Sequence, residues 1–150
     1  MLSDLRGWAV RPLRDLAGYL SRGIGPSYVE SGGICVLNQK CIRDQRIDFS
    51  KARRHNEAKK PIDGRLLRRL DVLMNSTGVG TLGRAAQLWH LPEPSIVDSH
   101  VTVLRAAPEV DPWFFGVGLT GREAEIESLA EGSTGQTERS EERRGGKECA

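Results

Sequence analysis

Apolar residues in this chain fall mostly into short runs that glycine and proline interrupt. The 150 residues include 17 glycines and 7 prolines, and few stretches between them reach the roughly ten residues that a packed bundle helix needs. The interruptions therefore argue against a helical bundle. They predict an α+β fold: a single globular domain with a mixed, strongly twisted β-sheet and a few short helices, helical at the C-terminal end.

Compact apolar segments of strand length recur along the chain. The run Ile34–Leu37 follows two glycines and has the composition of a buried strand. Similar segments predict strands at residues 71–75, 84–88 and 99–105, and a short strand at residues 8–10.

Two regions carry the signals of helices. Residues 13–20 have leucine and alanine at helical spacing, which predicts a short amphipathic helix. Near the C-terminal end, Asp111 stands before a proline, the pattern of a helix N-cap. Thr120 and Glu123 have the spacing of a capping box before a further helix, which Gly132 is expected to end.

Composition excludes several classes of protein. No stretch approaches the ~20 apolar residues of a membrane-spanning helix, and no basic start leads into an apolar core as in a secretory signal. Three cysteines without a C-x-x-C pair argue against a disulfide scaffold and a zinc ribbon. We therefore expect a cytoplasmic protein with no metal and no cofactor.

The C-terminal residues 139–150 have no periodic apolar positions, so they cannot bury a face. Their sequence looks like the translation of a sequencing adapter, and we interpret them as a non-native tail outside the fold. A natural disordered tail is the alternative. On the first interpretation the domain covers residues 1–138, and the native chain continues beyond them.

Charge is unevenly distributed along the chain. Residues 40–69 carry eleven lysines and arginines against four acidic residues, a net charge of +7. Residues 106–138 carry one arginine against seven acidic residues, a net charge of −6. Clustered cations of the first kind are what phosphate neutralisation on nucleic acid requires. A solvated loop with scattered salt bridges explains the composition equally well.

The segment 78–83 matches the pattern G-x-G-x-x-G and follows a predicted strand. In a dinucleotide-binding unit such glycines bring a helix N-terminus to a pyrophosphate. Here only residues 84–91 precede Pro92, which is short for a crossover helix. A tight glycine turn is the second interpretation. In the third interpretation, backbone amides of the segment and neighbouring hydroxyl groups contact a DNA phosphate or a base edge.

Catalytic patterns are weak. The sequence has no G-x-S-x-G and no H-E-x-x-H motif. Asp98 and His100 are interpreted as structural partners on one face of a strand, because neighbours on a strand alternate between faces. Cys35 is expected to be an inert core thiol, whereas Cys41, beside basic residues, is a candidate for a lowered pKa. No catalytic residue is assigned.

Several separated segments together resemble a target-recognition domain of the type I restriction–modification specificity subunit. The most specific one is residues 71–85, with the sequence DVLMNSTGVGTLGRA. The order and spacing of the others agree with it. These are residues 23–30, 33–42, 47–55, 96–105, 110–114 and 132–138. Leu70 departs from the family, which usually has glycine before the aspartate, and the adapter-like tail stands where the family has a long spacer helix.

The resemblance implies a DNA-binding protein without catalytic activity of its own. Such a domain reads one half of a split double-stranded target, while modification subunits and a restriction motor-nuclease subunit carry out the reactions. Two alternatives remain: a nucleotide-binding enzyme that uses Gly78–Gly83, or a protein-interaction module that binds no DNA. The predicted DNA-binding residues are Asn38, Gln39, Lys40, Arg43, Arg46, Arg53, Arg54, Lys59, Lys60, Asn75, Ser76, Thr77, Thr81 and Arg84.

Overall fold

Two four-stranded sheets form the framework of the computed structural model, which describes residues 7–129. In chain order the strands are β1 (Ala17–Arg22), β2 (Tyr28–Val29), β3 (Ile34–Leu37), β4 (Ile42–Arg43), β5 (Arg46–Ile47), β6 (Arg53–His55), β7 (Val72–Asn75), β8 (Ala85–Gln87), β9 (Ser95–Val97) and β10 (Val101–Ala106). The helices are α1 (Leu13–Leu16), α2 (Pro112–Thr120) and a helical segment at residues 123–129. Two 3₁₀ turns occupy Gln39–Cys41 and Phe49–Lys51.

The first sheet has the order β1-β10-β7-β8 and is wholly antiparallel. Alternate residues of its strands point to opposite faces. On one face Val72 and Leu104 pack against Phe115 of α2. On the other face Leu73 and Val103 belong to the main core with residues from β3 and β4. The sheet is therefore covered on both sides.

The second sheet has the order β2-β6-β3-β9. Its first three strands are antiparallel neighbours, whereas β3 and β9 run parallel. Val36 and Ile96 pack with Ile62 on one face, and Cys35 and Leu37 join the main core on the other. The strands β4 and β5 form a separate two-stranded hairpin.

The α+β fold class is confirmed, and four predicted strands correspond to β3, β7, β8 and β10. The predicted mixed β-structure is also present: residues 7–129 contain two four-stranded sheets and one two-stranded sheet, and the parallel β3–β9 pair makes one of them mixed. Residues 8–10 form no strand. The predicted helix over 13–20 ends at Leu16, because the following residues pair with β10 along Ala17–Arg22. The tertiary pairing outweighs the local helical spacing.

The N-terminus of α2 is capped as predicted: Asp111 Oδ1 accepts hydrogen bonds from the backbone N–H groups of the second and third helical residues, at 2.8 and 3.0 Å. The predicted Thr120–Glu123 capping box is wrong. The Thr120 hydroxyl donates to the Gly116 carbonyl (2.9 Å), and the Glu123 carboxylate accepts from Ala85 N–H (2.8 Å) on β8. Gly132 and the tail 139–150 lie outside the described residues.

Within residues 7–129, no helix combines the length and the apolar character needed to cross a membrane.

Candidate nucleic-acid interface

The glycine-rich segment forms the turn of a hairpin. It joins β7 to β8, which pair antiparallel, and Gly83 N–H donates to the Asn75 carbonyl at 2.9 Å. Gly78, Gly80 and Gly83 all have positive φ, at +102°, +75° and +88°, conformations that favour glycine. A strand follows Gly83 where a dinucleotide-binding unit has a helix N-terminus. The geometry therefore removes the structural premise of the nucleotide-binding alternative.

Asn75 and Gln39 join this hairpin to the start of the basic segment. The Asn75 amide nitrogen donates to the Gln39 carbonyl at 3.2 Å. The Gln39 side chain lies beneath Gly78, where an added Cβ would be 3.1 Å from Gln39 Oε1 and 2.4 Å from Thr81 Oγ1. Asn75 is only 1% exposed, so its side chain fixes the hairpin from inside and does not face solvent. The two regions predicted to meet DNA are thus in direct contact.

The hydroxyl groups of the hairpin are engaged within the protein. The hydroxyls of Ser76 and Thr102 share a hydrogen bond, and Thr77 Oγ1 shares one of 2.5 Å with His100 Nδ1. Thr81 Oγ1 donates to the Thr77 carbonyl at 3.2 Å. Arg84 is half-buried directly before β8. These hydrogen bonds within the protein hold the hairpin in place without a ligand.

A surface cleft of about 250 Å³ lies where the two 3₁₀ turns, β6 and the β9–β10 turn meet. We call it the basic cleft. The guanidinium of Arg53 lies 3.5 Å from the centre of the Tyr28 ring, in cation–π contact. Cations outnumber the one carboxylate in the lining, which favours an anionic ligand. The lining residues are Tyr28, Asn38, Gln39, Lys40, Lys51, Arg53, Asp98 and His100.

The side-chain amide of Asn38 holds the backbone at two points beside the cleft. Its side-chain oxygen accepts from Lys40 N–H (2.9 Å), and its side-chain nitrogen donates to the Lys51 carbonyl (3.0 Å). This cap holds the 3₁₀ turn that carries Lys40 next to the one that carries Lys51. Both lysine side chains therefore lie at the edge of the basic cleft, which we call its rim.

The other predicted cations do not line the basic cleft. Arg54 pairs with Glu93 and donates to the Gly32 carbonyl at 2.9 Å, and the hydrogen bond with Glu93 raises the pKa of Arg54. The Lys60 ammonium donates to the Gly25 carbonyl at 2.6 Å. Both side chains therefore tie loops together.

Three further cations are exposed outside the basic cleft. Arg43 and Arg46 lie on the β4–β5 hairpin, whose Gln45 donates to the Thr120 carbonyl at the end of α2 (3.0 Å). Lys59 is exposed in the connection after β6. The basic segment is thus spread over several surfaces of the fold.

His55, inside the basic segment, is fully buried. Its Nδ1 accepts from Ser27 N–H at 2.9 Å, so its Nε2–H donates to the Lys60 carbonyl at 2.8 Å. Both ring nitrogens are satisfied, and the residue is structural.

Sequence reasoning missed Tyr28, Lys51, Asp98 and His100 as lining residues of one cleft. Asp98 and His100 are partners as predicted, but on a turn: β9 ends at Val97 and β10 begins at Val101. Asp98 Oδ1 accepts from His100 N–H at 2.9 Å. Lys51 stands in the basic segment and could have been found there, whereas the placement of Asp98 depends on the parallel pairing of β3 with β9.

Both described cysteines are buried thiols, as expected for Cys35. The lowered pKa predicted for Cys41 is wrong: burial raises its pKa to about 11, because an apolar environment disfavours the thiolate. Burial also raises the pKa of Cys35.

We expect Cys41 to react with iodoacetamide at pH 8 roughly a hundredfold more slowly in the folded chain than in denaturant, since the thiolate is the reactive form. Alkylation can be followed by mass spectrometry in a Cys149→Ser background, with the unfolded chain as control. Equal rates in both states would contradict the burial of this thiol.

No group of His, Cys, Asp and Glu within the described range 7–129 is arranged to hold a metal ion.

Comparison with known proteins gives a similarity of fold. No protein-family model and no curated protein matches the sequence. The crystal structure of the HsdS subunit from Thermoanaerobacter tengcongensis superposes with a TM-score of 0.61 at 14% identity, over 85% of this chain and 32% of that chain. The fold is therefore that of part of an HsdS subunit, and the chain spans about a third of its length.

Proposed function

We propose that this chain is a target-recognition domain of a type I restriction–modification specificity subunit, and that it reads one half of a bipartite target in double-stranded DNA. The HsdS-like fold supports this proposal, and the observation that carries it is the basic cleft beside the glycine hairpin. A concave surface lined by Lys40, Lys51 and Arg53 suits a phosphate backbone. A well-ordered hairpin next to it suits the reading of base edges.

In this proposal the predicted residues, together with Lys51 of the cleft lining, fall into three groups. Lys40, Lys51 and Arg53 neutralise phosphates at the cleft, and the outlying Arg43, Arg46 and Lys59 contact flanking phosphates. Ser76, Thr77, Thr81 and Arg84 belong to the hairpin that approaches the bases. Asn38, Gln39, Asn75, Arg54 and Lys60 position these groups through the contacts described above.

The chain is proposed to act in the cytoplasm without catalysis of its own. Residues 1–138 form the recognition domain in this proposal, and its partners are the modification subunits and the restriction motor-nuclease subunit. A second recognition domain would read the other half of the target. These assignments rest on the family resemblance and the fold.

A protein-interaction module is the second candidate, and the surface of α2 favours it. Trp113, Phe114 and Val117 are exposed large apolar side chains on that helix. Trp113 also packs on Trp89, with ring centres 4.4 Å apart. Exposed apolar patches often mark protein contacts. A pure interaction module would bind no duplex even at low salt, which separates it from the DNA reader.

Arg53 and Arg54 are neighbours on β6 and offer a matched pair of variants. Arg53→Ala is expected to weaken binding to all duplexes and to reduce the slope of log affinity against log salt by about one unit, as for one lost phosphate contact. Arg54→Ala is expected to leave the slope unchanged, because Glu93 already pairs with this side chain. Fluorescence anisotropy over a salt series measures both slopes.

Equal slopes for Arg53→Ala and the unmodified chain would contradict the phosphate contact at the basic cleft. Denaturant unfolding of each variant checks that the comparison is made between folded proteins.

A further inference from the structure

One residue of the basic cleft has the opposite charge to its surroundings. Asp98 is 4% exposed and contributes to the lining of the cleft. Its Oδ1 accepts from His100 N–H, whereas its Oδ2 accepts no hydrogen bond from residues 7–129, and no cation in that range lies within salt-bridge distance of it. Oδ2 is not among the polar side-chain atoms that are buried without a partner in this range, so it is open to the cleft and can accept a hydrogen bond from a ligand.

The surroundings of Asp98 indicate what that oxygen can bind. Burial raises the pKa of the Asp98 carboxyl, partly offset by the His100 N–H hydrogen bond. Tyr28 and Asp98 line the same cleft, and burial, followed by the charge of Asp98, raises the pKa of the Tyr28 phenol. Lys40, Lys51 and Arg53 at the rim would repel a metal cation but attract a polyanion. A neutral hydrogen-bond donor carried on a polyanion fits both constraints.

We infer that Asp98 is a specificity-determining residue which accepts a hydrogen bond from the exocyclic amino group of a cytosine in the major groove. This inference rests on the proposed DNA-reading function. In the major groove guanine presents acceptors, and thymine presents an acceptor and a methyl group. Adenine has its amino group beside its own acceptor N7, whereas cytosine itself presents only the amino group in the major groove. An acceptor-only carboxylate therefore favours cytosine.

The rim and the floor of the cleft then have separate tasks. The three cations bind phosphates and carry no base preference, since every nucleotide has the same phosphate. The floor carboxylate supplies the preference. His100 donates its backbone N–H to the Asp98 carboxylate, and its ring shares a hydrogen bond with Thr77 of the glycine hairpin. His100 therefore positions the Asp98 carboxylate relative to the hairpin.

The test uses the full chain and randomised duplexes selected at low salt. We expect enrichment of cytosine by about tenfold at one position. Replacing that cytosine by 2-pyrimidinone, which lacks the 4-amino group, should weaken binding of the unmodified chain by a similar factor. Asp98→Asn retains an acceptor for His100 N–H and should bind the two duplexes with a preference reduced to less than about twofold.

Lys51→Ala is the matched control from the rim, and it should weaken binding to both duplexes equally. A selected sequence whose cytosine tolerates the analogue in the unmodified chain would overturn the role of Asp98 and leave the proposed function standing. The analogue experiment needs no variant, so it decides even if Asp98→Asn does not fold. No duplex binding at low salt would overturn the proposed function and this inference together.

Discussion

Replacing Asp71 by alanine is expected to lower the free energy of unfolding by about 3–5 kcal/mol, because the change leaves a partly buried arginine without its partner. The Asp71 side chain is completely buried and that of Arg105 is 20% exposed. The carboxylate accepts from Arg105 Nε at 2.7 Å and from Nη2 at 2.8 Å, a bidentate pair. It also accepts from Arg68 N–H at 2.8 Å. Urea unfolding followed by tryptophan fluorescence measures the loss.

An exposed ion pair is the control for this prediction. Arg122 and Glu125 pair with side chains 64% and 68% exposed, so Glu125→Ala should cost less than about 1 kcal/mol. A comparable loss for Asp71→Ala and Glu125→Ala would show that the buried pair contributes no more than a surface pair. Because β7 begins directly after Asp71 and ends in the glycine hairpin, the Asp71 variant should also weaken duplex binding.

Gly33→Ala is expected to destabilise the fold by about 2–5 kcal/mol, the sum of backbone strain and overpacking. Gly33 has φ +64°, and a Cβ there would lie 2.1 Å from the His55 carbonyl oxygen. This contact lies where β3 pairs with β6, the strand that carries Arg53. Any relief of the clash must therefore move the cleft.

Gly32 is the neighbouring control, with φ +71° and no atom within 4 Å of an added Cβ. Gly32→Ala should cost only the strain of the left-handed conformation, about 1–2 kcal/mol. Thermal or urea unfolding of the two variants separates the cost of the close contact with His55 from the cost of the backbone strain. Equal stability losses would show that the close approach of His55 is relieved without cost.

Local sequence patterns predicted four of the ten strands described among residues 7–129, namely β3, β7, β8 and β10, which are compact apolar segments with turn residues beside them. They did not predict β1, because its pairing with β10 joins residues 80 or more positions apart and residues 13–20 have helical spacing. The second four-stranded sheet depends likewise on the parallel pairing of Cys35 with Ser95. Such long-range pairings have no local signal.

The candidate site was predictable only in outline. Clustering of cations indicated the basic segment, but the hydrogen-bond partners decide which cations line the cleft: Lys40 and Arg53 do, whereas Arg54 and Lys60 bind carbonyl groups. Asn75 has the polarity of a base-reading residue, yet its position at the end of β7 buries it. The family resemblance implied the fold that the comparison with the HsdS subunit then showed, without assigning the individual contacts.

The most direct test of DNA reading is the affinity of residues 1–138 for duplex DNA as a function of salt. One recognition domain without its second half should bind weakly, with a dissociation constant of roughly 10⁻⁴–10⁻⁶ M at physiological salt, a steep decline as salt rises, and a sequence preference limited to the single cytosine inferred above. Absence of binding at low salt, or binding that salt does not change, would contradict DNA reading by this chain. Nanomolar selective binding would contradict its role as one half of a bipartite reader.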